Sequence, residues 1–398
     1  MNANPRSLEA VIRYLAVLVL ATSLIGCDRF GGQAEAAAGS SPLPFEVGVD
    51  SDSITPIPEI WASGSYLPAG NRSAIADGEV GWIVTQPFQD DRLLLTKLTM
   101  GEGKATTIVL EEHVGSYSGA GLAPDGAGNL WITYGDQALR LNESTGKIDR
   151  WALSDRNAED LGSSDNWSAG NAQAAAWDRG EQSLLFVRNG DHYLYRLDPG
   201  VGTVATAADL GVYTTYLSSL VVGDDGSVAV TGTATHGAYV PAAAWIVAGK
   251  PVLIPDADSM CISTSKLIVL ARDGGVSSLE SNQASLVGRV APLRGTGTPF
   301  ACGEGMVFEA TEGDGQVTVS RISLDGKFDQ LTLPLIQVGG AVHEYLGEDV
   351  TGDWAGAGVQ ALMPDQDGGV WLVLIAGTQD LPGVGVAYPS VVHVDFDS

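Results

Sequence analysis

Four stretches of the chain collect side chains that could do chemistry. They are residues 154–171 (SDRNAEDLGSSDNWSAGN), 235–242 (THGAYVPA), 336–358 (IQVGGAVHEYLGEDVTGDWAGAG) and 377–390 (GTQDLPGVGVAYPS). Together they carry Trp167, His236, Tyr239, His343, Glu344, Tyr345, Trp354 and Tyr388, beside Asp160, Asp165, Glu348, Asp349 and Asp353. Aromatic faces next to carboxylates suit recognition of a sugar, a cationic peptide or a protein surface. Those eight residues are therefore the candidate ligand-binding set. The competing reading makes the same rings small apolar caps beneath long loops. His343-Glu344 is also an acid–base pair in sequence, although adjacent residues point apart in a strand. No catalytic residue is assigned on that signal alone.

Other motifs narrow the chemistry. Apart from Cys27, the thiols are Cys261 and Cys302, each just ahead of an apolar run (MCISTSKLIVL and FACGEGMVFEA). They form a possible disulfide between matching inner strands, or remain two buried thiols if those strands lie too far apart. No CxxC, Cys/His cluster, HExxH or GxSxG occurs, so no metal site and no cofactor are expected. The turns DGEVG, DGAGN, DDGS and DQDGG lack the alternating ligands and distal Glu of a calcium loop. Asp and Gly there supply the backbone angles of tight hairpins.

Those turns belong to a repeat. Short apolar runs follow Gly/Asp/Asn turns at residues 75–86, 122–134, 174–198, 219–233, 259–280, 300–328 and 360–377. From Trp82 to Trp371 the mean spacing is about 48 residues, the length of a four-stranded propeller blade. In residues 125–153, DGAGN is the hairpin, LWITY the second strand, ALRLN the third, STGK a turn and IDRWAL the outer strand. One such sheet cannot bury both faces alone, and radial packing solves this while leaving only short edges. The expected fold is all-β, a β-propeller of seven four-stranded blades. It closes where residues 390–397 (SVVHVDFD) meet residues 54–63 (ITPIPEIWAS), whose Pro56 and Pro58 suit only an edge strand. Two sandwiches, or six or eight blades, are the rival architectures. Trp82, Trp131 and Trp371 are read as structural blade residues.

DGAGNLWIT resembles the D-G-x-G-N-x-W repeats of NHL-like, two-component-regulator and streptogramin-lyase-type propellers. The likeness supports a fold and no particular activity. In a propeller, the second-to-third-strand loops and the interblade connections open on one face, and the four aromatic stretches fall in that set. The reading is a binding or scaffold module on that face. The alternative is a lyase or glycan-processing enzyme at the channel mouth.

The address comes from the N-terminus. Arg6 and Arg13 precede LAVLVLATSLIG, an apolar run suited to a signal peptide and too short to span a bilayer. LIGC, ending at Cys27, resembles the bacterial lipobox. That resemblance implies cleavage before Cys27 and lipidation of its thiol, an extracytoplasmic protein held to the cell membrane by a lipid anchor. Asp28 resembles an inner-membrane retention signal of some Gram-negative sorting systems. Residues 1–26 are then the signal peptide, 27–53 a Gly/Ala/Ser/Pro-rich tether and 54–398 the propeller. The net charge of −27 disfavours nucleic acid and anionic headgroups as partners.

Overall fold

The structure is a computed structural model. It describes residues 54–56, 65–66, 74–87, 92–99, 104–111, 120–153, 172–215, 218–235, 238–247, 249–263, 266–280, 283–290, 299–313, 316–334, 354–381 and 384–396. Every regular element among them is a strand, and the strands form seven antiparallel sheets arranged as a seven-bladed propeller.

Closure uses the first strand, β1 (Ile54–Pro56), and β2 (Ser65–Tyr66) adds a short edge to blade 1. Blade 1 is β3 (Ala74–Asp77), β4 (Val80–Pro87), β5 (Leu93–Thr99) and β6 (Lys104–Glu111). Blade 2 is β7 (Ala120–Pro124), β8 (Asn129–Tyr134), β9 (Gln137–Asn142) and β10 (Ile148–Ala152). Blade 3 is β11 (Ala172–Asp178), β12 (Ser183–Arg188), β13 (Tyr193–Asp198) and β14 (Thr203–Asp209). Blade 4 is β15 (Leu220–Val222), β16 (Val228–Thr235), β17 (Ala238–Val247) and β18 (Lys250–Pro255). Blade 5 is β19 (Ala257–Ser263), β20 (Lys266–Ala271), β21 (Gly275–Glu280) and β22 (Gln283–Arg289). Blade 6 is β23 (Phe300–Cys302), β24 (Met306–Gly313), β25 (Gln316–Ser323) and β26 (Phe328–Pro334). Blade 7 is β27 (Trp354–Pro364), β28 (Val370–Leu381) and β29 (Val384–Val394), with β1 as its fourth strand. Ile54 sits opposite Val392 and Pro56 opposite Ser390, so the proline occupies the outer edge, where its missing N–H does no harm.

Apolar residues on the two faces of each sheet meet those of the neighbouring blades. In β24, Phe308 and Ala310 join the cluster of Val359, Val370 and Leu372 in blade 7, while Val307 joins that of Cys261, Ile268 and Leu270 in blade 5. This is strand alternation turned into interblade cores. The three tryptophans fit the same frame: Trp82, Trp131 and Trp371 are 3%, 0% and 7% exposed. Each is covered by a residue directly across on the third strand. Lys97 lies 5.1 Å over Trp82, Arg140 lies 5.6 Å over Trp131, and the His393 ring is 4.6 Å from Trp371. A cation or imidazole here covers the indole face and keeps its own polar end toward solvent.

The Asp-Gly turns are held by their aspartates. Asp125 Oδ1 accepts from the Ala127 and Asn129 amides at 2.7 and 3.1 Å, and Asn129 Nδ2 donates to Asp125 Oδ2 at 2.7 Å. Asn142 Nδ2 donates to Asn129 Oδ1 at 2.9 Å, tying this hairpin to the next turn of the blade. Asp365 repeats the pattern, accepting from the Asp367 and Gly369 amides at 2.9 and 2.8 Å and meeting His393 Nε2 at 2.7 Å. The motif that looks like a cation loop in sequence has its carboxylates engaged by its own backbone.

Two stretches expected as open loops are strand instead. Residues 377–390 pair across β28 and β29, from Gly377 opposite Ala387 to Leu381 opposite Val384. In 235–242, Thr235 ends β16 and 238–242 belong to β17, with Thr235 opposite Ala238 and Thr233 opposite Pro241. Gly- and Pro-rich sequence reads as loop when taken alone. Cross-strand pairing next to a long partner strand overrides that preference.

Candidate binding site

Turns between strands one and two, and between three and four, emerge on one face, here the turn face. The second-to-third-strand turns and the interblade connections emerge on the other, the long-loop face. Of the eight candidate residues, Trp167, His236, His343, Glu344 and Tyr345 lie outside the described residues. Tyr239 is the second residue of β17. Trp354 begins β27 opposite Thr378, and Tyr388 lies in β29 opposite Ala376, so the register brings these two to neighbouring rows of one sheet. β28 has 12 residues against six in β8, β12 and β20. The excess carries the blade 7 hairpin about 20 Å further toward the long-loop face.

The best-built part of that face lies in blades 3 and 4. Residues 189–192 connect β12 to β13, and residues 210–219 connect β14 to β15. The two connections are sewn together. Gly190 N donates to Thr214 O at 2.8 Å, Thr214 N to Asp191 O at 2.7 Å, and Leu210 N to His192 O at 2.8 Å. Tyr213 and Thr233 exchange backbone bonds of 2.8 and 2.7 Å, which join the connection to β16. Gly232 makes this possible, because a Cβ there would sit 2.4 Å from Tyr213 O.

On this frame rests an aromatic ledge. The His192 ring is 4.0 Å from Tyr193 and 5.5 Å from Tyr213, all three partly exposed. Below it, Asp191 is 8% exposed and accepts from the His192 amide at 2.6 Å and from the Tyr195 hydroxyl. Burial first, and then the Asp191 carboxylate beside it, push the Tyr195 phenol far above its ordinary value, so it stays a donor. The Arg188 guanidinium lies 4.3 Å over the Tyr195 ring and donates from Nη2 to Leu153 O at 2.5 Å. Backbone bonds and a stack of buried Arg188 and Asp191 on half-buried Tyr195 thus fix the ledge from beneath, the preorganisation that a recognition surface needs. None of these residues belongs to the set read from sequence. The signal was present in NGDHYLYRL, where an Asn-Gly turn is followed by three aromatic-type residues within four positions.

At the axis, the inner strands of all seven blades enclose a cavity of about 1060 Å³ that reaches the turn face. Cys261 of β19 and Cys302 of β23 are joined there by a disulfide between adjacent inner strands, with Cα atoms 5.6 Å apart. The inner strands of blades 5 and 6 are therefore close enough for the bond. No histidine lines the cavity among the described residues, and no group of three His, Cys, Asp or Glu suited to a metal occurs among them.

No protein-family model matches the chain, and no curated protein matches it. Solved structures do. The chain is similar to one in the crystal structure of the mitotic checkpoint complex, at 10% identity and TM-score 0.54, covering 91% of this chain and 98% of that one. It is also similar to PorZ, a bacterial surface component of the type-IX secretion system of Porphyromonas gingivalis (12% identity, TM-score 0.46, 82% of this chain and 39% of that one). A third similarity is to regucalcin, a calcium-binding protein of Agrobacterium tumefaciens (13% identity, TM-score 0.41, 70% and 90%). At these identities the likeness is one of fold.

Proposed function

We propose that the protein is a lipid-anchored lipoprotein of the bacterial envelope whose propeller is a binding and scaffold module. It engages a protein, peptide or glycan on the long-loop face. The observation that carries this reading is the ledge of His192, Tyr193 and Tyr213, partly exposed above a locked Arg188–Tyr195–Asp191 stack. Aromatic rings held at low entropic cost, with a polar rim, are what protein and sugar recognition surfaces use. The three long strands of blade 7 add a second contact region on the same face. The similar chain of the mitotic checkpoint complex sits in a complex, which agrees with a scaffold use of the fold. Anchoring rests on the lipobox-like LIGC at Cys27.

Two measurements test this. Partner capture from solubilised membranes is compared between wild type, His192→Ala, Tyr213→Ala, Trp167→Ala and Trp354→Ala. A partner that binds all four variants like wild type removes the proposed face. In detergent phase partitioning, the full chain enters the detergent phase and Cys27→Ala stays aqueous. Equal partitioning removes the anchor.

A further inference from the structure

We propose that the guest of the ledge is a cationic side chain, arginine or lysine, presented by a basic segment of a partner protein; this rests on the ledge being the binding face. The rings make the place for it. His192 lies 4.0 Å from Tyr193 at a tilt of 38° and 5.5 Å from Tyr213 at 58°, so the three form a bent row in place of one flat platform. A bent row offers more than one electron-rich ring face to a compact cation. The flat face of a sugar ring is better matched by a single open ring plane.

The surrounding charge makes the choice. The chain has no Lys or Arg from residue 197 to residue 249, a span that covers the outer strand of blade 3, the Tyr213 connection and most of blade 4. Beneath the ledge, Arg188 is 6% exposed, and its guanidinium is held by Leu153 O and the Tyr195 ring, so it is turned away from a guest. Asp209 is exposed and sits directly across from Tyr193 in the β13–β14 pair, where opposite side chains share one sheet face about 5 Å apart. Its Oδ1 accepts from the Gly211 amide at 3.0 Å, and no cation among the described residues pairs with it. Among the described residues on this face of blades 3 and 4, the exposed charges are carboxylates, Asp209 and Asp256, in a chain of net charge −27. Such a surface draws in a basic segment and turns away an acidic one.

The test uses two peptides that differ only in charge, acetyl-Gly-Ser-Arg-Ser-Gly-amide and its citrulline twin, with chitotriose as a neutral sugar. Calorimetry on the full chain reads affinity, and NMR shifts of the His192 ring read location. The arginine peptide should shift that ring and bind about tenfold tighter than its twin. Tyr193→Leu and Tyr213→Leu, made separately and checked for wild-type melting, should each lose about fivefold for it. Asp209→Asn keeps an acceptor for the Gly211 amide and removes only the charge, and should lose about threefold. Citrulline or chitotriose binding as tight as that of arginine, and lost in the tyrosine variants, keeps the ledge as the face and overturns the cation. No saturable binding of the arginine peptide also overturns the cation, while partner capture judges the face separately. Arginine binding that all three variants retain is attraction by overall charge and overturns the proposal.

Discussion

Glu309 offers a prediction whose size changes with pH. It lies in β24, opposite Phe300 of β23 and Ser320 of β25, and is 2% exposed. By strand alternation it shares the side of Val307 and faces blade 5. Ser320 is its hydrogen-bond partner, and its Oε1 has none among the described residues. Burial pushes the carboxyl from the ordinary 4.5 up to about 7, with the Ser320 bond offsetting part of the rise. The unfolded chain releases this proton near pH 4.5 while the folded chain holds it to about 7. Stability is therefore intact below pH 4.5, falls as pH rises through that window, and is flat above it. The loss is about 1.4 kcal/mol per pH step, or about 3 kcal/mol by pH 8.

Glu309→Gln fills the same space without a charge. The variant should match wild type within about 1 kcal/mol at pH 4.5 and exceed it by about 3 kcal/mol at pH 8. Urea unfolding at pH 4.5, 6 and 8, read by tryptophan fluorescence, measures the gap. A gap that does not vary with pH, or one in which wild type gains on the variant as pH rises, refutes the argument.

Three further outcomes follow from the packing. Cys261→Ser/Cys302→Ser removes a cross-link that closes a 41-residue separation and should cost about 4 kcal/mol, read as a lower urea midpoint. Gly232→Ala forces a Cβ to within 2.4 Å of Tyr213 O and should cost about 2–4 kcal/mol, with amide exchange at Tyr213 and Thr233 rising first. Trp131→Ala empties a fully buried position beneath Arg140 and between Trp151 and Trp177, and should cost about 4 kcal/mol in the same assay.

The blade grammar was legible because it is local. In DGAGNLWIT the Asp125–Asn129 turn, the buried strand after it and the next turn at Gly146 all sit within one four-stranded sheet. Closure was legible for a similar reason: prolines at 56 and 58 exclude a central strand, and the alternation at 390–397 needs a partner. Blade 7 was less readable. The pairing of residues 377–390 depends on β27 and β29 being long, and no feature of GTQDLPGVGV announces it. The ledge was missed because its parts are far apart in sequence. Tyr213 reaches His192 only after an interblade connection folds back over a hairpin. Aromatic content in the long stretches drew attention to residues 154–171 and 336–358, of which only 354–358 lie among the described residues.

The seam between β1 and β29 has a kinetic consequence. Ile54 finds its partner at Val392, so the ring stays a crescent until almost the whole propeller sequence has been synthesised. During that interval the outer side of β29 is an unsatisfied edge, able to recruit a strand from another nascent copy. A three-residue patch then has to outcompete such intruders, and it can do so because it is tethered to the same molecule. Assembly of the ring is therefore a race between self-closure and cross-pairing, settled at the last strand to arrive.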